Sequence, residues 1–403
     1  MTYDVARLRS LVPALDGGTV FLDGPGGTQT PRPVADAMRA VLLAPLSNRG
    51  SVTASSRNAE AVVQGFRTAV GDLLGADDDH AVVAGRSATQ LAFDLARTIA
   101  ADWAPGDEVV VSTLDHDSNI RPWVLAAAAA GAVVRRVDPD PETAEIPVER
   151  VAAQLSERTR LVAITGASNL VGTRPDLPAV AALARSHGAE VWVDGVHLVA
   201  HAPVDLGALD VDYLVCSPYK FLGPHCGVLV ARRAALERLR PAKLAPSTDA
   251  VPERFELGTL PYELLAGTSA AIDVLASLVA ERAGEDRRGR LTRAMSAVEA
   301  HEDGLRAVLE QGLAELSGVR VLSRAARRTP TLLLTVEGRD PQELVAALAD
   351  HDICASAGTF YAAEGARALG LPAGGGLRLG LAPYTDRGDV DRTLAALRGV
   401  LGG

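Results

Sequence analysis

Seven short apolar runs recur through the middle of the chain, at 81–84, 108–111, 132–137, 161–165, 191–193, 213–216 and 228–230. Helical segments fall between most of them, at 87–101, 119–130, 147–156 and 175–187. Strands that alternate with helices predict a doubly wound, largely parallel sheet. In such a sheet ligands sit beyond the carboxyl ends of the strands, so the residues that follow each run are where chemistry is expected.

The flanks read differently. Residues 32–44 and 57–75 are amphipathic helical patterns joined by a polar loop containing Asn48, Arg49 and Ser51. After 231 the alternation stops: 232–260 is loop-rich, and two long helical patterns cover about 262–281 and 286–316. Strands near 320–322, 331–336, 353–355 and 377–381, with helices near 341–350 and 387–401, predict a compact α+β unit. The 403 residues are enough for one large and one small core. The expected division is an N-terminal arm at 1–30 that packs with the small domain, a large domain at 31–282 and a small domain at 283–403.

Charge and composition exclude several classes. With 40 basic and 50 acidic side chains the net charge is −10, which argues against a nucleic-acid backbone or an anionic membrane as partner. The apolar run at 125–134 is too short to span a bilayer and is broken by Gly131. The N-terminus lacks the apolar core of a signal peptide, so a cytoplasmic location is expected. Cys216, Cys226 and Cys354 show no CxxC spacing, the eight histidines are scattered, and neither a disulfide framework nor a zinc site is expected.

The segments after the strands carry the chemistry. Gly85-Arg86-Ser87-Ala88-Thr89 opens a helix, either as a phosphate seat or as a plain cap by Ser87. His116, after the second run, suits stacking on a flat ring or proton transfer, or is a solvated loop residue. Asn169, after the fourth, either bonds a cofactor hydroxyl or closes a turn. The fifth run ends in Asp194, a carboxylate that needs a partner at the end of an apolar strand. The sixth leads into Ser217-Pro218-Tyr219-Lys220-Phe221-Leu222-Gly223-Pro224. A lysine in such a loop either snorkels to the surface or stands desolvated as a nucleophilic amine. An acid to keep a pyridinium nitrogen protonated and an amine to form a Schiff base are the two groups pyridoxal phosphate requires. A structural ion pair is the alternative.

With the segments VDGVHLVAH, CSPYKFLGPHCG, LDHDSNIRPW, ITGASNLVGT and FLDGPGGTQTP in place, the chain resembles the class V aminotransferase family in its cysteine desulfurase-like branch. The resemblance implies a pyridoxal-phosphate-dependent transferase of fold type I, with a seven-stranded, mostly parallel sheet in the large domain and a small α+β C-terminal domain. It makes Lys220 the Schiff-base lysine, Asp194 the partner of the pyridine nitrogen and His116 the ring that stacks on the cofactor. Asn169 would approach the ring oxygen, and His197, where the family usually has glutamine, would do the same. Ser217 and Tyr219 would bind phosphate together with the Ser87-Ala88-Thr89 turn. Thr259, in Arg254-Phe255-Glu256-Leu257-Gly258-Thr259, would reach the phosphate of a neighbouring subunit, which implies a homodimer with shared active sites. Arg378, in Gly376-Leu377-Arg378-Leu379-Gly380, would grip the α-carboxylate of an amino-acid substrate.

Desulfurases of this branch carry a nucleophilic cysteine on a loop of the small domain. The matching loop here, Ser356-Ala357-Gly358-Thr359-Phe360-Tyr361-Ala362-Ala363, has none. Cys354 reads as core, and Cys226, six residues after the lysine, has no supporting base. Tyr361, and with it Tyr384, replaces the thiol as an acid or a shape-setter beside the substrate. The expected activity is a C–S lyase or β-elimination type of reaction on an amino acid. The alternatives are an aminotransferase, an amino-acid racemase or epimerase, and a non-catalytic scaffold of the same fold.

Overall fold

The computed structural model describes residues 3–402, so Met1 and Thr2 of the expected arm and Gly403 of the expected C-terminal domain lie outside the described residues. A short strand, β1 (Val20–Phe21), comes first. Then β2 (His80–Gly85), β3 (Glu108–Ser112), β4 (Val133–Val137), β5 (Thr159–Thr165), β6 (Glu190–Asp194), β7 (Tyr213–Cys216) and β8 (Gly227–Arg232) form one sheet in the order β2-β8-β7-β6-β5-β3-β4. Every neighbouring pair is parallel except the two made by β8, which runs against both β2 and β7. The carboxyl ends of six strands therefore point one way, as the alternating pattern requires.

Helices cover both faces, which is why β3 and β7 are buried at every position. On one face Ala88–Ile99 and Arg121–Ala130 pack over Val83, Val109, Val111 and Trp192. Trp192 itself sits between Trp123 and Tyr213, with ring centroids 5.4 and 5.6 Å away. On the other face the helices Ala54–Leu74 and Tyr262–Ala276 cover Val82, Val110, Val162 and Leu214. Edge strand β4 is the exception, largely exposed and charged at Arg135 and Arg136, a composition that discourages pairing with another sheet. At Gly227 a Cβ would lie 2.3 Å from the carbonyl carbon of Ser87, so only glycine lets the helix Ala88–Ile99 start this close to the sheet.

The small domain is built on β9 (Val319–Val321), β10 (Thr331–Val336), β12 (Ser356–Gly358) and β13 (Gly376–Gly380), an antiparallel sheet in the order β12-β13-β10-β9. The helices Arg287–Ala314, Pro341–Ala349 and Arg387–Gly402 bury a leucine core against it. The strand predicted at 353–355, β11 (Ile353–Cys354), stays out of that sheet and pairs in parallel with β1. The helix predicted at 147–156 shrinks to Val148–Ala152. Beyond it the hydroxyls of Thr159 and Ser156 take over the local hydrogen bonding, the latter donating to Glu108. Among the described residues no helix is long and apolar enough to cross a membrane.

Candidate active site

A cavity of about 300 Å³ opens where the carboxyl ends of the large sheet face β13. Lys220 enters it from the 3₁₀ turn Pro218–Lys220 that follows β7. Its Nζ donates to the carbonyl oxygen of Pro25 and lies 4.7 Å from the ring centroid of Tyr219. Burial, and then repulsion from Arg378, push the Lys220 pKa down to about 8, against the attraction of Asp194. A free amine is thus available two or more pH units below the range of an ordinary lysine. Uptake of pyridoxal phosphate by the apo-protein, followed by stopped-flow absorbance, is expected to speed up about tenfold per pH unit below pH 8 and to level off above it. A rate that keeps climbing to pH 10 would contradict the depressed value.

Asp194 closes β6 and is buried, with its Oδ1 accepting from the backbone N–H of Val196 at 2.9 Å. Burial raises its pKa to about 6, with the Val196 N–H and Lys220 pulling the other way. Asp115 is completely buried, and its Oδ1 accepts from Asn119 Nδ2 at 2.6 Å. Desolvation and the charge of Asp194 hold Asp115 well above the carboxylate range, which biases it toward the neutral acid. The next residue, His116, accepts at Nδ1 from the Ser118 N–H at 3.1 Å and lies 2.7 Å from the Ser118 hydroxyl. Burial, Lys220 and Arg378 lower its pKa to about 4, so the imidazole is neutral at pH 7 and offers an uncharged flat face.

Arg378, in the middle of β13, is the cation on the opposite wall. It is 4% exposed, its Nη1 donates to the carbonyl oxygen of Asn169 at 2.8 Å, and its Nε has no partner among the described residues. Burial lowers its pKa to about 10 despite the nearby Asp23. The Phe360 ring lies over the guanidinium with the Cζ 3.7 Å from the ring centroid. Phe360 and Tyr361 both have positive φ, +54° and +58°, which is costly for side chains of this size. Two contacts with the large domain hold them there: Asn169 Nδ2 donates to Phe360 O at 2.9 Å, and the Asp117 N–H donates to Tyr361 O at 2.7 Å. Tyr361 is 76% exposed, with its ring centroid 5.3 Å from that of His116.

Of the remaining expected residues, Ala88, Thr89, Asn169, His197, Ser217 and Tyr219 line the same cavity. His197 and His201 stand one helical turn apart, with ring centroids 4.7 Å from each other. His197 is taken up by Thr331 Oγ1 at 2.8 Å and His201 by the buried Glu302 at 2.9 Å. Among the described residues no group of three or more His, Cys, Asp or Glu side chains is placed to hold a metal. Ser87 does not line the cavity; its hydroxyl caps the helix Ala88–Ile99 by accepting from the Gln90 N–H at 3.1 Å. Thr259 does not line it either, but faces a separate hollow with Leu257 and His225 and donates to Asn48 at 3.4 Å.

Cys226 points away from the chemistry: it is buried against Thr268 at 3.5 Å, and burial pushes its thiol up to about 11. Cys216 and Cys354 are likewise shifted upward by burial. The sequence reading left out Pro25, Gly26, Ser118, Thr165 and Phe360, which also line the cavity. Pro25, in the turn at 24–27, meets Lys220 from 195 positions away.

A desolvated lysine and a buried acid on adjacent strand ends, with a neutral imidazole and a buried arginine lining the same cavity, define a pyridoxal-phosphate-dependent enzyme of fold type I. The cavity suits that cofactor, because Asn169 Oδ1 is a buried polar atom beside the amine and the acid with no partner among the described residues. The class-V aminotransferase family model matches residues 20–393, and the chain belongs to that family, in its cysteine desulfurase-like branch. An uncharacterized protein of Mycobacterium tuberculosis is 32% identical over 401 residues, covering 98% of this chain and 99% of that one. A cysteine desulfurase of Salmonella agona is 30% identical over 427 aligned residues, covering 98% of both chains. The crystal structure of the cysteine desulfurase CsdA from Escherichia coli superposes with a TM-score of 0.88 at 28% identity, covering 100% of this chain and 99% of that one.

Proposed function

We propose that the protein is a carbon–sulfur lyase that eliminates a sulfur-bearing group from Cβ of an amino acid. The observation that carries this reading is the segment 356–363: it brings Phe360 and Tyr361 to the cavity and contains no cysteine, while Cys226 and its two counterparts lie outside the cavity lining. With no thiol at the mouth to take the sulfur, the sulfur leaves with its own substituent.

Lys220 and Asp194 would hold the cofactor at its carbonyl carbon and ring nitrogen, His116 at the ring face, and Asn169 and His197 at the ring oxygen. Ser217, Tyr219, Ala88 and Thr89 would surround the phosphate, with Ser87 supporting that turn as its cap. When bound, pyridoxal phosphate supplies the electron sink that labilises bonds at the substrate Cα. Arg378 binds the α-carboxylate through its unpaired Nε edge, since its Nη1 is already committed to Asn169 O. Phe360 keeps water off the guanidinium face. Lys220 Nζ, with a pKa depressed to about 8, moves the proton from Cα. Tyr361 stands beside His116 as the acid for the departing sulfur. The C–S bond breaks with its electron pair going to sulfur, and the unsaturated product hydrolyses to a keto acid and ammonia.

A homodimer with shared sites accompanies this reading. Leu42, Leu43, Val52 and Leu257 are exposed apolar side chains on the segments that surround the Thr259–Asn48 contact, an arrangement suited to a second copy that brings Thr259 toward the phosphate. With it go an arm at 1–30 that packs with the small domain, a reading supported by the pairing of β1 with β11, a large domain at 31–282, a small domain at 283–403 and a cytoplasmic location.

Incubation with a panel of S-substituted L-cysteines, followed by mass detection, tests the reaction. Pyruvate, ammonia and free thiol in equal amounts are expected. A keto acid that retains the sulfur would make it an aminotransferase, and an inverted amino acid a racemase. Persulfide accumulating on Cys226 would overturn the elimination reading.

A further inference from the structure

Phe360 and Tyr361 line two spaces at once. On one side is the cavity of Lys220, about 300 Å³, at the lower limit of small-molecule sites. On the other is an open groove of about 640 Å³. A pyridine ring with its phosphate arm would occupy much of that inner space. Little room is left there for a substrate side chain, and the groove beyond Tyr361 is the larger volume adjoining it.

The groove is not neutral in its free charge. Four charged side chains line it: Asp117, Arg121, Glu364 and Arg367. Glu364 is drawn off by Arg136 at 2.9 Å, and Arg121 is paired with Asp117 at 3.4 Å. Arg367 has no carboxylate partner among the described residues, so the uncompensated charge is a guanidinium. Ile120, Ala357 and Ala363 line the groove as well and supply apolar surface.

We propose that this outer groove is a second substrate subsite, which takes the distal carboxylate of an elongated amino acid with Arg367 as its counter-ion. The proposal rests on the reading that the inner cavity holds pyridoxal phosphate and that Arg378 binds the α-carboxylate. It narrows the substrate class from amino acids at large to those with an acidic group at the far end of the side chain. Free cysteine or alanine would fill the inner cavity alone.

The test is calorimetric binding to the holoenzyme of two series matched in length. The acidic series is L-aspartate, L-glutamate, L-2-aminoadipate and L-2-aminopimelate. The neutral series is L-2-aminobutyrate, L-norvaline, L-norleucine and L-2-aminoheptanoate. At one of the two longer lengths the acid is expected to bind about fivefold more tightly than its neutral counterpart, the range of a single solvent-accessible charge pair. Arg367→Gln should remove that preference while leaving the neutral series within about twofold. Equal binding of acid and neutral partners at every length would overturn the subsite and leave the Lys220 reading standing, as would a preference that survives in Arg367→Gln. A protein that takes up no cofactor, or a holoenzyme that binds no amino acid of either series, would overturn both.

Discussion

Replacing Lys220 with alanine is expected to abolish the visible absorption band of the reconstituted protein and to lower amino-acid turnover by about 10⁴-fold. The size of the effect follows from the two tasks that fall on one nitrogen. In the proposed reaction Lys220 is both the covalent anchor of the cofactor and the base that moves the Cα proton, and among the described residues no second lysine lines the cavity. The fold should tolerate the change. The ammonium is already disfavoured by burial and by Arg378, and the hydrogen bond lost to Pro25 is worth about 1 kcal/mol. Absorbance and thermal unfolding measured on the same sample separate the outcomes. A stable variant that keeps its band and its turnover would remove Lys220 from the chemistry.

Asp194→Asn is expected to leave cofactor uptake nearly intact and to reduce kcat by about 10²- to 10³-fold. Asparagine preserves the shape and the acceptor for the Val196 N–H, but it cannot supply the negative charge that keeps a pyridine nitrogen protonated. The apo-protein carries a second signature. Burial raises the Asp194 pKa from 3.8 to about 6, so the folded state holds this proton more tightly than the unfolded chain does. Stability from this group is full below the unfolded value and is lost as pH rises through about 6. Wild type should therefore weaken relative to Asp194→Asn between about pH 4 and pH 6, a difference read from paired urea titrations. Equal pH dependence in the two proteins would mean that Asp194 is not desolvated, and an unchanged kcat would leave it without a role in the reaction.

Much of this site was legible because the chain announces strand ends locally. The run at 191–193 is followed by Asp194 and that at 213–216 by the Lys220 loop, and parallel pairing of β6 with β7 brings these two ends together. Once strands alternate with helices, handedness and burial leave few other arrangements. The same logic located His116 and Asn169. Ser87 and Thr259 stand outside the cavity lining of their own chain, for different reasons. A hydroxyl at a helix start can serve either the ligand or its own backbone, and here it bonds Gln90. The contact expected of Thr259 is with a neighbouring subunit, and within its own chain it faces a separate hollow.

By itself the sequence determined the doubly wound sheet, the small α+β domain and the pairing of a lysine with an acid at successive strand ends, because these depend on short-range periodicity and chain order. Only the tertiary structure decided what state those groups are in and what closes over them. The depressed Lys220, the neutral His116 and the Phe360 ring on Arg378 arise from segments far apart in the chain, such as Asn169 and Phe360, which are 191 positions apart. The left-handed turn at Phe360 and Tyr361 was equally out of reach. Neither residue favours that backbone, and it is held by Asn169 and Asp117 of the other domain rather than by anything in its own neighbourhood.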